Sequence, residues 1–316
     1  MALFHPGLQL LSVNLLKKRH VISLVPAATE FLFEMGLGKI VAGRSDACDF
    51  PEEAFIIPVC SKSLIQGELD SFKINEQVSE RLRAKLPLFE VDAKKIIGLK
   101  PDAIVVQQQC SICAISPEHF SALPLNVPQI TFSPLKFADL WTEALRLGEE
   151  LGYLEEARET VKHLKTRVVD ALELIGLPSK KPRVLVVEWL NPLMTAGNWV
   201  PDMISMAGGE AVLSKAGTHS GWVNEAEIIA SHPEKIIVVP CGFGIEKTKT
   251  EFKSLLKRSP WNALEAIQKG ECYLVDGNHY FNRPGPRLVK SFEILAEILN
   301  PKLPRVFAGE SYERLH

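Results

Sequence analysis

The segment LEEARETVKHLKTRVVDALELI, residues 154–175, decides the fold of this chain. It contains neither glycine nor proline, and Gly152 and Gly176 stand just outside its ends. Apolar residues recur in steps of three or four, at Leu154, Ala157, Val161, Leu164, Val168, Leu172 and Ile175. This spacing places them on one face of an α-helix. Such a helix is about 33 Å long, roughly the width of a small domain.

Short β-branched runs alternate with helix-period segments on both sides of this helix. The runs predict strands at 21–25, 39–43, 103–106, 129–132, 183–188, 235–239 and 271–275. The segments between them predict helices at 28–35, 137–151, 200–206, 225–230, 252–256 and 288–299. Alternating strands and helices are typical of parallel sheets. The sequence therefore predicts an α/β fold in which one long helix joins two lobes as a rigid clamp.

The expected domain organisation follows from these elements. An N-terminal extension (1–19) precedes an α/β lobe (20–153), the linker helix (154–176), a second α/β lobe (177–301) and a loosely held C-terminal tail (302–316).

The net charge is −2, and no block of five or more Lys or Arg occurs. This composition excludes a nucleic-acid partner, and no apolar run is long enough to span a membrane. The N-terminus lacks the pattern of a signal peptide, so we expect a cytoplasmic protein, the alternative being a periplasmic or extracytoplasmic protein whose native start lies upstream.

Ligands of open α/β sheets bind at the carboxyl ends of strands, and this chain carries chemically diverse residues there. We therefore expect a binding cleft at these ends, lined by Pro26, Gln107, Gln109, Glu188, Trp189, Trp199, Trp222, Phe243, Asn278, Tyr280, Phe281 and Arg283. The aromatic residues would form a flat apolar wall. Arg283, close to the start of the last helix, could contact an anionic group.

The cysteines allow several interpretations. Cys110 and Cys113 form a C-x-x-C pair in a loop, and Cys241 follows another strand. They could be inert buried thiols, metal or ligand contacts, or redox residues. No motif of a known catalytic site occurs, and neither His219 nor His279 has a carboxylate at a suggestive spacing. We therefore expect a protein that is not an enzyme.

Several stretches resemble one family. The stretches 21–30, 43–51 and 99–102, together with 191–192, 195–201, 207–210 and 283–287, are similar to the cobalamin and ferric-siderophore class (class III) of ABC-importer substrate-binding proteins. The stretches 107–113, 188–189, 240–243 and 276–278 resemble its cobalamin-binding subgroup. The resemblance implies two Rossmann-like lobes, a corrinoid held flat between them, and uptake, delivery or storage of that ligand.

The chain departs from this family in two respects. Exported members carry a signal or a lipoprotein cysteine, and the N-terminus here shows neither. Importer-docking members carry an exposed acidic residue before the Leu-Lys-Pro-Asp segment, whereas 92–95 is more basic here. The resemblance implies a permease partner, for which Glu225 and Glu227 could serve on the second lobe. The alternatives are a thiol- or metal-dependent redox protein using Cys110, Cys113 and Cys241, and a haem or ferric-siderophore binder.

Overall fold

The architecture is that of a computed structural model, which describes residues 17, 19–107, 115, 126–177 and 180–315. The first lobe contains strands β1 (Val21–Ser23), β2 (Val41–Ser45), β3 (Val59–Ser63), β4 (Phe89–Val91), β5 (Ala103–Val106) and β6 (Gln129–Thr131). Its helices are α1 (Pro26–Glu34), α2 (Ser71–Arg83), α3 (Ala93–Gly98) and α4 (Asp139–Leu151). The strands form one sheet in the order β4-β3-β2-β1-β5-β6, and each neighbouring pair is parallel except β3 with β4.

The linker helix α5 (Leu154–Ile175) has the bounds that the apolar spacing predicts. Its buried face includes Ala157, Val161, Leu164 and Val168, which belong to one core cluster with residues of both lobes. Arg167 also forms a bidentate ion pair with Glu293, at 2.8 and 3.0 Å. Because α5 is packed along its length, it is a stiff joint and not a free tether.

The second lobe contains strands β7 (Arg183–Leu190), β8 (Leu193–Thr195), β9 (Glu210–Ala211), β10 (Gly221–Trp222), β11 (Lys235–Val238), β12 (Cys272–Val275) and β13 (Tyr312–Arg314). Its helices are α6 (Val200–Met206), α7 (Glu225–Ala230), α8 (Ile245–Arg258), α9 (Glu265–Gln268) and α10 (Arg287–Leu299). The sheet order is β10-β8-β7-β11-β12-β13, with β9 paired to β7. The strands β7, β9, β11 and β12 are parallel, and β8, β10 and β13 run antiparallel to their partners.

The fold confirms the predicted α/β class with two parallel-sheet lobes and one long connecting helix. The expectation of a loosely held tail is wrong for its last residues. Tyr312–Arg314 pairs with β12, and the Tyr312 side chain is buried with its hydroxyl 2.9 Å from Glu297 Oε1. No helix in the described part of the chain has both the length and the apolar composition that crossing a membrane requires.

Candidate functional site

The carboxyl ends of the two sheets face each other, because residues that follow β2 contact residues that follow β12. The guanidinium of Arg283 forms a bidentate ion pair with Asp49, in which Nη2 donates to Oδ2 at 3.0 Å. The Asn278 side-chain amide donates to the same carboxylate at 3.3 Å and accepts from Arg283 at 3.0 Å. Burial acts to raise the pKa of Asp49, but Arg283 and Asn278 outweigh it and hold that pKa below its ordinary value. We call these three residues the central bridge.

A second interlobe ion pair joins Glu30 of α1 to Arg287, the first residue of α10. Arg287 donates two hydrogen bonds to the carboxylate, at 2.6 and 2.9 Å. The Glu30 side chain is only 2% exposed. Burial raises the pKa of Glu30 even though Arg287 opposes this shift. The Arg287 guanidinium also lies over the Phe50 ring, 4.3 Å from its centroid.

The lobes meet a third time where α2 begins. The Ser71 N–H and hydroxyl donate to the Glu251 carboxylate of α8, the hydroxyl at 2.6 Å. Lys247 of α8 donates to the Gly67 carbonyl at 2.7 Å and lies 3.6 Å from the centroid of the Phe243 ring. The first-lobe segment between β3 and β4 thus contacts the second lobe directly.

A cavity of about 570 Å³ lies between the lobes beside these contacts. Its lining comes from both lobes and consists of Glu30, Glu34, Phe50, Arg167, Asp276, His279, Tyr280, Pro286, Arg287, Lys290 and Glu310. The volume falls in the range of small-molecule sites, about 300–1,000 Å³. An interlobe cavity with aromatic and polar walls is suited to hold a ligand that touches both lobes.

Asp276 and His279 form a hydrogen-bonded pair on the wall of this cavity. The Asp276 carboxylate accepts the backbone N–H groups of Asn278 and His279 at 2.9 and 3.0 Å, and its other oxygen lies 2.9 Å from His279 Nδ1. Burial acts to raise the pKa of Asp276, but the bonds from His279 and Asn278 hold it below its ordinary value. The expectation that His279 has no carboxylate partner is therefore wrong. A carboxylate three residues before the histidine, in a turn, was the available signal.

Trp189 and Trp222 lie in strands β7 and β10 of the second-lobe sheet, and their contact with a ligand stays a prediction. The register pairs Trp189 with Met194 and Met194 with Trp222, so the three side chains form one row on the same face. Trp189 is half-buried and packs on Phe243, with the ring centroids 5.4 Å apart. Trp222 is 60% exposed.

The structure corrects the expectation for Trp199 and Phe281, which lie in the core and not on the cleft wall. Both side chains are buried, and Trp199 Nε1 donates to the Phe281 carbonyl at 2.6 Å. The Phe281 N–H in turn donates to the Ser291 hydroxyl at 3.0 Å. Trp199 occupies the N-cap position of α6, and its side chain belongs to the core cluster that also contains residues of α10.

The other predicted residues that the structure describes lie at or near the carboxyl ends of strands. Pro26 is the first residue of α1, and Gln107 follows β5. Glu188 lies at the register shift of β7, and its carbonyl accepts the N–H of the exposed Cys241 at 3.1 Å. Tyr280 lines the cavity.

The predicted thiol cluster cannot be assembled from the described residues. Gln109, Cys110 and Cys113 lie outside them. Within the described ranges, no group of three or more His, Cys, Asp or Glu side chains is arranged to hold a metal ion. The role of Cys241 as a metal or ligand contact stays a prediction.

Comparison with known proteins identifies the family. Residues 86–278 match the family model described as periplasmic binding protein. The chain is 24% identical over 291 residues to an uncharacterized ABC transporter substrate-binding lipoprotein, YvrC of Bacillus subtilis, covering 90% of this chain and 80% of that protein. It is 25% identical over 285 residues to a vitamin B12-binding protein of Vibrio vulnificus, covering 88% of each.

Solved structures share the fold. The periplasmic vitamin B12 binding protein BtuF of Vibrio cholerae matches with a TM-score of 0.64 at 17% identity, over 90% of this chain and 99% of that one. The periplasmic heme-binding protein RhuT of Roseiflexus sp. RS-1 matches with a TM-score of 0.67 at 18% identity, over 90% and 98%. At these identities the likeness establishes the fold and leaves the ligand open.

These findings decide three expectations. The family is a non-enzymatic transport component, as the sequence predicted. The expected cytoplasmic location is wrong, because the matching family is periplasmic and one relative is named a lipoprotein. The resemblance to class III substrate-binding proteins is confirmed. The chain belongs to the periplasmic binding protein family, whose members are substrate-binding proteins of ABC importers.

Proposed function

We propose that this protein binds a corrinoid, a cobalamin-like ligand, in the cleft between its two lobes and delivers it to an ABC importer. The observation that carries the proposal is the interlobe cavity, in which aromatic and polar side chains of both lobes meet. Relatives named vitamin B12-binding proteins support the same ligand class. The sequence-predicted residues Asn278 and Tyr280 belong to this region.

The charges around the cavity favour a corrinoid over haem. The three cations of its described lining are each paired with a carboxylate: Arg287 with Glu30, Arg167 with Glu293, and Lys290 with Glu310. Haem carries two anionic propionates and would need cations without such partners. The periphery of a corrin ring carries neutral amides, which need hydrogen-bonding groups instead. Paired ions beside half-buried aromatic rings supply that environment without an excess of either charge.

Titration with a ligand panel tests the proposal. The purified protein is mixed with cyanocobalamin, haemin or a ferric siderophore, and binding is followed by absorbance and calorimetry. We expect saturable binding of the corrinoid at one site per chain, and much weaker binding of the other two ligands. Tight binding of haemin without corrinoid binding would overturn the choice of ligand. The enzyme alternative, with thiol chemistry, has no support from the family.

Truncating Trp189 is expected to weaken corrinoid binding by about 1–3 kcal/mol, roughly 5- to 150-fold. Trp189 lies outside the cavity lining and packs on Phe243, beside the interlobe contact of Lys247 with Gly67, so Trp189→Ala tests whether a flat ligand extends over that apolar surface. Trp141→Ala is the matched control, because Trp141 is also half-buried but lies on α4 beside Lys165 of the linker. The affinities of the two variants for the corrinoid, measured by calorimetry, test this prediction. Equal affinities of Trp189→Ala and Trp141→Ala would show that Trp189 does not contribute to the binding site.

Ligand binding is expected to leave the overall dimensions of the protein nearly unchanged. The packed linker α5 and the bidentate Arg167–Glu293 pair limit the lobes to a small rotation. Small-angle scattering curves with and without cyanocobalamin should nearly overlay. A large change in radius of gyration would show that α5 does not act as a rigid joint.

Docking to a permease is part of the proposal. Glu225 and Glu227 lie in the first turn of α7, where Glu227 closes a capping box with Asn224. On the first lobe, Asp92 caps α3 by accepting the Lys95 N–H at 2.9 Å. Glu225 and Glu227 therefore give the second lobe an acidic contact for a basic permease surface, whereas on the first lobe Asp92 is paired with Lys95 at 3.4 Å.

A further inference from the structure

The turn after β12 holds the His279 ring in a fixed orientation. Asp276 accepts two backbone N–H groups of the turn, and its own backbone is fixed on both sides. Its N–H donates to the Ser311 carbonyl at 3.2 Å, and its carbonyl accepts the Tyr280 N–H at 3.0 Å. The His279 ring also packs edge-to-face on Tyr280, with centroids 6.2 Å apart. The ring is therefore held by a carboxylate on one edge and an aromatic side chain beside it.

This arrangement decides which ring nitrogen carries the proton. An ionised carboxylate only accepts hydrogen bonds, so Nδ1, 2.9 Å from Asp276 Oδ2, is the N–H donor of the neutral ring. Nε2, on the opposite edge, then keeps its lone pair. His279 is half-buried and lines the interlobe cavity, where that lone pair is accessible to a bound molecule. A carboxylate-bound histidine is the usual form of a metal-ligating imidazole.

We propose that His279 is an axial ligand to the metal of the bound macrocycle. The proposal rests on the proposed function, since it assumes a corrinoid in the interlobe cavity. In the binding step, the Nε2 lone pair forms a cobalt–nitrogen bond and the water on that face of the cobalt leaves. Neither the oxidation state nor the proton on Nδ1 changes. Asp276 fixes the tautomer and the orientation of the ring.

A single histidine is sufficient for this role. The described residues hold no group of three metal-ligating side chains, which an isolated metal ion would require. A corrin ring brings its own equatorial nitrogens, so the protein needs to supply only one donor. The proposal also predicts a preference among corrinoids. Corrinoids with an open axial position on the cobalt, such as cobinamide, bind the imidazole there. In a corrinoid whose own base occupies one axial face of the cobalt, only the other face is left for His279.

Electron paramagnetic resonance of bound Co(II) cobinamide tests the assignment. Cobinamide lacks its own nitrogen base, so nitrogen splitting of the cobalt lines must come from the protein. We expect triplet splitting in the wild-type complex, and doublets when the protein is prepared with ¹⁵N-histidine. His279→Gln is expected to bind cobinamide more weakly and, in the fraction that is bound at saturating protein concentration, to lose the splitting. His163→Gln is the matched control, because His163 is exposed on α5 and should leave the spectrum unchanged.

The outcomes separate this inference from the proposed function. Bound cobinamide without nitrogen splitting would overturn the axial ligand and leave corrinoid binding intact. Splitting that persists in His279→Gln would assign the ligand to another residue and also overturn the inference. Failure of wild-type protein to bind either cobinamide or cyanocobalamin would overturn both proposals. The ¹⁵N experiment needs no substitution, so a histidine ligand is tested even if the variant fails to fold.

Discussion

Replacing Arg287 with alanine is expected to lower the free energy of unfolding by about 3–5 kcal/mol. The variant leaves the Glu30 carboxylate without its bidentate partner at a position only 2% exposed. The matched control is Arg158→Ala, which breaks an exposed pair with Glu155 and should cost about 0–1 kcal/mol. Urea unfolding of both variants measures the difference. A loss in Arg287→Ala no larger than in the control would show that the interlobe pair does not stabilise the fold.

The loss in Arg287→Ala is also expected to depend on pH. Burial already raises the pKa of Glu30, and removal of Arg287 removes the hydrogen bonds and the charge that oppose this shift. The folded variant therefore binds a proton more tightly than the unfolded chain does. Its stability is greatest below the unfolded pKa of Glu30 and falls as the pH rises through the higher folded pKa. The difference from wild type should shrink when unfolding is repeated at acidic pH. The double variant Glu30→Leu, Arg287→Leu should lose less, because no charge stays buried.

Replacing Trp199 with alanine is expected to cost about 3–5 kcal/mol of stability and to leave ligand affinity almost unchanged in the folded molecules. The substitution removes a buried ring and the 2.6 Å hydrogen bond to the Phe281 carbonyl. Trp222→Ala is the control, because that side chain is 60% exposed and should change stability by about 0.5 kcal/mol or less. Denaturant unfolding measures both. Normal stability together with weak ligand affinity in Trp199→Ala would contradict this prediction and would place Trp199 on the cleft wall.

The sequence was most informative where one physical rule acts over many residues. The linker Leu154–Ile175 was predicted residue for residue, because its apolar face repeats over six turns without a helix breaker. Helix α8 was predicted only in part, as 252–256, whereas it spans Ile245–Arg258. Its first turns are rich in Lys, Glu and Thr, and they are stabilised by contacts such as Lys247 with Gly67 that no local pattern encodes.

The site was predicted at the level of strand ends but not of side-chain direction. Trp199 was predicted in a loop and Trp189 at the end of a strand, both on the cleft wall. Trp199 faces the core instead, whereas Trp189 packs on Phe243. Asp49 was missed because its partner Arg283 is more than two hundred residues away, and only the fold brings them together. Glu30 was missed because a carboxylate in a buried helix has no sequence signature apart from its distant partner.

Hydrogen–deuterium exchange with and without cyanocobalamin tests the central claim, that the ligand binds between the lobes, most directly. We expect slower exchange at segments of both lobes that face the cleft, around Asp49 and Phe50 in the first and from Asp276 to Arg287 in the second. Helix α9 (Glu265–Gln268), which contributes no residue to the cavity lining, should be unaffected and serves as the internal control. Protection confined to one lobe, or centred on α9, would contradict binding in the cleft.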